Sequence, residues 1–296
     1  MSLARYLSLV KFSHSIFALP FALMGAWLAA GGPPSARVLG LVVLAAVAAR
    51  TAAMGFNRVV DRQIDAANPR TAEREIPAGL VSPKGAWILV AVSSLVFVAA
   101  AAVLNPLCGW LSPVVLAVLL GYSFAKRFTS LVHLWLGLAL GLAPPGAWLA
   151  VTGSFDGDLG VPLLLGAAVL TWVAGFDIIY SCQDEGFDAE RGLHSIPARL
   201  GRAGALRLSS LLHVSTVSLL AALAWRADLS WIFLIALVAA ALLLLWEHSI
   251  VSPDDMSRVN IAFFTINGYV GVGLFLGTAL DLWLLGGSGA EPVGAL

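Results

Sequence analysis

Apolar runs, each close to the ~20 residues a helix needs to cross a bilayer's hydrocarbon core, follow one another along almost the whole chain. In lipid a backbone satisfies its N–H and C=O groups only within a helix or a closed barrel, and runs of this length are helical. They fall at 14–31, 37–58, 85–104, 107–125, 131–151, 160–182, 204–224, 229–249 and 259–284. The sequence therefore predicts an all-α integral membrane protein of nine transmembrane helices in one bundle, with boundaries good to about four residues. Composition agrees, with 59% of residues hydrophobic, 11% charged and a mean hydropathy of +0.91, far from the balance of a soluble domain.

We expect a single domain over 1–285 and a flexible tail, "GGSGAEPVGAL", at 286–296. The first run is too long for the apolar region of a cleaved signal peptide, so it counts as a span. Cys108 and Cys182 give neither a disulfide framework nor a zinc pattern. Net charge is zero, so the distribution of charge, not its sum, carries information, and nucleic acid is not an expected partner.

Basic residues near membrane segments stay on the cytoplasmic side. With the N-terminus inside, only Arg37 and Arg226 of the 17 Lys and Arg fall on the opposite side, and Arg50 falls within the second span. This predicts that the N-terminus and the polar motif loops are cytoplasmic.

"NRVVDRQID", at 57–65, follows directly on the second apolar run. Asn57, Asp61 and Asp65 recur every four residues, so a helix stacks them on one face. Stacked acids repel unless a cation sits among them. "DIIYSCQDEGFD", at 177–188, presents Asp177, Tyr180, Asp184 and Asp188 at helical offsets after the sixth run. The segments continue alike, "DAANPRTAEREIPAGL" after the first and "DAERGLHSIPARL" after the second, with Asp61 and Asp65 aligned to Asp184 and Asp188 at a constant offset of 123. That is an internal repeat. An even number of helices, four, separates the motifs, so the repeat is parallel, unlike the inverted repeats common in transporters. Both acidic clusters then share one membrane face.

Basic residues interleave with the acids: Arg70 and Arg74 after the first motif, Lys126 and Arg127 ending the fourth span, Arg191 and His194 after the second motif. Carboxylates mixed with Arg and Lys suit a phosphorylated ligand, because Mg2+ takes one or two carboxylates plus phosphate oxygens and Arg clamps the rest. Arg50 lies two turns before Asn57 and deeper in the membrane. An intramembrane charge turns inward for a purpose, here recognition of an anionic group. Tyr122 precedes Lys126 by one turn.

With these motifs the chain resembles the UbiA superfamily of intramembrane aromatic prenyltransferases over nearly its whole length. Asn57, Asp61 and Asp65 match an NxxxDxxxD signature, and "RTAEREIPAG" is similar to its RTxxRxxPxG continuation. "YSFAKRFT" resembles the family's tyrosine to Lys-Arg segment, and Asp177, Tyr180, Asp184 and Asp188 match DxxYxxxDxxxD. The resemblance implies nine helices around a central cavity, with two acidic motifs binding a polyprenyl diphosphate through Mg2+. It implies metal ligation by Asn57, Asp61, Asp65, Asp184 and Asp188. The substrate contacts it implies are Arg50, Asn57, Arg70, Arg74, Tyr122, Lys126, Arg127, His133, Tyr180, Arg191 and His194. The proton-accepting base is Asp177 or His133.

Arg50 stands where the 4-hydroxybenzoate enzymes carry an arginine suited to the substrate carboxylate, so a small aromatic acid is the expected acceptor. The second-motif region is most similar to a bacterial 4-hydroxybenzoate prenyltransferase-like subgroup, which implies a bacterial-type inner membrane location and for which prenylation of a dihydroxynaphthoate in the futalosine route to menaquinone is an alternative. The chain departs from the family pattern at Arg58, commonly aspartate, at Val132-His133, commonly Pro-Gln, and at His194, commonly lysine. A cation-coupled transporter is the rival from a different class. His213 and His248 read as packing residues, and His14 as the start of the first span.

Overall fold

The computed structural model describes residues 3–10 and 17–285. Lys11, His14 and the expected tail at 286–296 lie outside the described residues. Within them every regular element is helical: α1 (Leu3–Leu9), α2 (Leu19–Ala30), α3 (Ala36–Val60), α4 (Arg62–Ala67), α5 (Pro83–Leu104), α6 (Pro106–Ala125), α7 (Val132–Gly141), α8 (Ala143–Thr152), α9 (Gly160–Ser181), α10 (Glu185–Glu190), α11 (Ile196–Arg226), α12 (Trp231–Ser249) and α13 (Asn267–Leu284). A 3-10 turn, Cys182–Asp184, joins α9 to α10, and a π-helical turn, Ile261–Ile266, leads into α13.

Helix starts follow local chemistry. Side chains of Ser35, Ser82, Asn105, Ser195 and Ser230 accept backbone N–H bonds from the first turns of α3, α5, α6, α11 and α12, satisfying donors that have no partner inside the helix. Pro83 and Pro106 follow their caps directly, where a missing N–H costs nothing.

Eight helical segments are long and apolar enough to span a membrane. The expected nine is not reached among the described residues, where the first run contributes the 12 residues of α2 and its start at 14–16 lies outside them. At 1.5 Å per residue α2 extends roughly 18 Å, short of the ~30 Å hydrocarbon core. α7 and α8 form one span, Val132–Thr152, divided at Leu142 just before Pro144 and Pro145. α11 begins earlier than its apolar run and breaks at Gly201, whose φ of 68° is in the region glycine tolerates without strain.

α9 is the most enclosed span, with 61% of its apolar window buried against 17% for α6. α3 packs most extensively on α5, and α9 on α11, the same relation once in each half of the repeat. At the α7–α9 crossing a Cβ on Gly137 would lie 2.3 Å from the Leu170 carbonyl oxygen, so the backbones touch as small residues allow in membranes. α1 packs through Leu9 and Val10 on Val59, Ile76 and Val81. Trp110, Trp225, Trp231 and Trp283 are strongly exposed, all at the end of the bundle remote from the acidic motifs.

Candidate active site

α3 ends at Val60 and the chain turns at Asp61 into α4, so the first motif sits at a helix junction. α9 passes through its 3-10 turn into α10 and gives the second motif the same setting. Asp61, 3% exposed, accepts the Asn57 amide at 3.0 Å and pairs with Lys126 Nζ and Arg127 at 2.9 Å each. Asp65, also 3% exposed, pairs through Oδ1 with Arg74 at 2.7 Å. Its Oδ2 is buried with no hydrogen-bond partner.

The two motifs are joined directly. Arg70, just past the first, grips Asp184 of the second with two parallel bonds, the Nε contact at 2.8 Å, and its Nη1 donates to the Tyr180 hydroxyl at 3.3 Å. Asn68 donates to Asp184 Oδ1 at 3.0 Å. Desolvation disfavours the Arg70 charge, but the hydrogen bonds and charge of Asp184 outweigh it and hold the guanidinium above its ordinary pKa. Asp188 is half-buried within electrostatic reach of Asp184, Lys126 and His133. The acidic helix ends thus form one mouth, threaded by cations.

Deeper in the same region, His133 Nδ1 lies 2.7 Å from Asp177 Oδ2, while its Nε2 faces the Ile196 backbone N–H at 3.3 Å. An acceptor role at Nε2 places the neutral ring's proton on Nδ1, donated to Asp177. Both nitrogens are then engaged. Tyr122 is within electrostatic reach of Asp177, Asp61, Arg74 and Arg58, so side chains from α3, α6, α9 and the loop after α4 converge on a common space. Arg50 is half-buried within α3, within electrostatic reach of Arg58.

Arg191 and His194 stand apart. The Arg191 guanidinium lies over the Phe187 ring at 5.6 Å, and His194 contributes its backbone N–H to the Lys126 carbonyl at 2.7 Å. Both are exposed. Sequence reasoning missed Asn68, whose position before Pro69 in a turn was its only signal. Arg58, noted in the sequence as a departure from the family's aspartate, is 5% exposed and near Arg74, Asp65, Glu75 and Asp61. His213 and His248, read as packing residues, bond to each other, His213 Nδ1 to His248 Nε2 at 3.0 Å.

Among the described residues no three His, Cys, Asp or Glu side chains form a ready-made metal cage. Mg2+ does not need one, since it typically binds one or two carboxylates and completes its shell with water and phosphate oxygens. The all-oxygen donors at this mouth, and the unpartnered Oδ2 of Asp65, fit such an ion.

Comparison with known proteins agrees with this geometry. The UbiA prenyltransferase family matches residues 18–269. The 4-hydroxybenzoate octaprenyltransferase of Serratia proteamaculans is 33% identical over 257 residues, 87% of each chain. That of Yersinia pseudotuberculosis is 32% identical over 260 residues, 87% of this chain and 88% of its own. Among solved structures, an apo UbiA homolog from Aeropyrum pernix K1 superposes with a TM-score of 0.82 at 40% identity, covering 90% of this chain and 98% of that one. A UbiA homolog from Archaeoglobus fulgidus bound to GPP and Mg2+ shares the fold at 20% identity, with a TM-score of 0.72 and coverage of 93% and 99%. Joined acidic motifs, a bundle of apolar helices and these likenesses lead to one assignment: this integral membrane chain belongs to the UbiA prenyltransferase family.

Proposed function

We propose that the protein transfers a polyprenyl group from polyprenyl diphosphate to a small aromatic carboxylic acid of the 4-hydroxybenzoate type, releasing diphosphate, as a step of quinone biosynthesis. The observation that carries this reading is the bridge from Arg70 to Asp184, which makes a single cation-lined mouth of two acidic motifs. The names of the relatives in Serratia and Yersinia support the acceptor class.

Asp61, Asp65, Asp184 and Asp188, with Asn57, would hold Mg2+, which when bound neutralises diphosphate oxygens and stabilises charge on the leaving group. As the allylic C–O bond breaks, its electron pair leaves on the diphosphate. Lys126, Arg127, Arg74 and Arg70, occupied by carboxylates in the resting chain, turn toward that growing negative charge and stabilise it. Arg50 orients the acceptor by its carboxylate. A ring carbon of the acceptor attacks the allylic cation, forming the carbon–carbon bond, and the ring proton leaves to a base. Asp177 takes that role, because Oδ2 is held by His133 while Oδ1 remains for the proton. The polyprenyl tail stays in lipid, and with the mouth on the cytoplasmic face of a bacterial inner membrane the aromatic acid enters from the cytoplasm while the diphosphate headgroup is presented at that same face.

Purified protein is supplied with Mg2+, one polyprenyl diphosphate and either 4-hydroxybenzoate or a dihydroxynaphthoate. The expected result is Mg2+-dependent diphosphate release with a prenylated 4-hydroxybenzoate. Product from the naphthoate alone reassigns the acceptor. No diphosphate release, with cation flux in vesicles, overturns the enzyme reading in favour of a transporter.

A further inference from the structure

Behind the mouth, α9, α12 and α13 exchange hydrogen bonds through three side chains sealed from solvent: Trp172 at 1% exposure, Glu247 and Asn267 at 0%. Trp172 Nε1 donates to Asn267 Oδ1 at 2.6 Å. Asn267 Nδ2 donates to Glu247 Oε1 at 2.8 Å and to the Ala262 carbonyl at 2.9 Å. A carboxamide has two N–H donors and one carbonyl acceptor, so Asn267 is bonded on every side. Polar groups at this depth are costly unless they serve a purpose.

The bond to Ala262 indicates the purpose. It reaches back five residues across the π-helical turn Ile261–Ile266, a local form frequent at functional sites. That turn carries Phe263 and Phe264, whose ring centroids lie 4.2 and 6.1 Å from the Tyr180 ring. Tyr180 in turn accepts a bond from Arg70, the partner of Asp184. On its other side Phe263 meets Phe176 at 5.1 Å, and Phe176 meets Trp172 at 4.9 Å. Rings and hydrogen bonds therefore close a circuit: Trp172, Phe176, Phe263, the π-turn backbone, Asn267 and Trp172 again.

We propose that Asn267, clamped between Glu247 and Trp172, is a positioning residue that fixes the π-turn and so holds Phe263, Phe264 and Tyr180 as the wall beside which the allylic cation is released. The inference rests on the prenyltransferase reading. Aromatic faces attract a cation and a tight wall excludes water. Once the C–O bond has broken with its electron pair on diphosphate, the cation has two fates. Attack by the acceptor ring forms a C–C bond and sends the ring proton to the base. Attack by water forms a C–O bond, loses a proton to solvent and yields the prenyl alcohol. A loosened wall shifts the balance toward alcohol.

The test measures the ratio of prenyl alcohol to prenylated acid, with the donor KM, in Asn267→Leu, Glu247→Leu, Glu247→Gln and Trp172→Phe of the full chain. Glu247→Gln keeps an acceptor for Asn267 and retains the wild-type ratio. The two leucine variants and Trp172→Phe raise the ratio about fivefold, the effect of one lost hydrogen bond, while donor KM is unchanged. Should the leucine variants fail to fold, Trp172→Phe decides, because it keeps an aromatic ring and deletes the indole donor. An unchanged ratio in Trp172→Phe, with rates merely falling in step with folded yield, overturns the clamp and leaves only helix packing. A wild-type enzyme that releases no diphosphate overturns the prenyltransferase reading, and the clamp with it.

Discussion

Asp61 takes three donors from two separate segments, Asn57 on its own helix and Lys126 and Arg127 from the end of α6. Removing its charge leaves two cations without their anion and removes a proposed metal ligand. Asp61→Asn, and Asp184→Asn in the second motif, are expected to cut diphosphate release at least about a hundredfold in a Mg2+-saturated assay. Asp177→Asn separates from these, lowering kcat about a hundredfold with donor KM unchanged, because a base acts after the donor is bound. Arg70→Lys tests geometry over charge. Lysine replaces a two-pronged grip by a point contact, and donor KM is expected to rise about tenfold. The acids of this set showed in the sequence through their helical offsets and the bases through their interleaving with them, whereas the break at Asp61 that splits the first motif between α3 and α4 did not. Asn68 did not either, since its bond to Asp184 spans 116 residues and depends on how the loop after α4 folds back. The burial of Arg58 had no signal in the sequence, because charge at a helix end is usually exposed, whereas this side chain is turned inward.

Helices were readable wherever an apolar run met a capping residue or a proline, as at Ser82-Pro83 and Asn105-Pro106. What escaped were α1, the π-turn, and the breaks that make α4 and α10 short helices of their own. Each is positioned by tertiary contact, as when Ser8 of α1 donates to Glu75. The division of one span into α7 and α8 was written in Pro144-Pro145 but has no signature in hydropathy. Contact between α7 and α9 gives a prediction at this scale. A methyl group at Gly137 meets the Leu170 carbonyl, so Gly137→Ala is expected to destabilise the folded chain by about 1–3 kcal/mol, read as a lower midpoint of thermal unfolding in detergent. A folded protein with an unshifted midpoint refutes that backbone contact.

Across the whole molecule, the parallel repeat places both motifs at one end, and the bridge between Arg70 and Asp184 requires it. Cysteines introduced at Glu73 and Glu190 should react with an impermeant reagent from the same face of a sealed vesicle, and one introduced at exposed Gly157 from the other. Chelation of the metal is expected to stop turnover without unfolding the bundle, because Asp61, Asp65 and Asp184 already have basic partners. Circular dichroism before and after chelator addition checks this. Trp110, Trp225, Trp231 and Trp283 crowd the opposite end, and indoles settle at headgroup level. On the function proposed above they would act as floats that fix how deep the body rides, keeping its charged rim at the waterline, where a lipid-borne pyrophosphate would dock while its hydrocarbon never leaves the oil. Membranes thicker or thinner than the hull then slow the enzyme by moving the rim, with its chemistry intact.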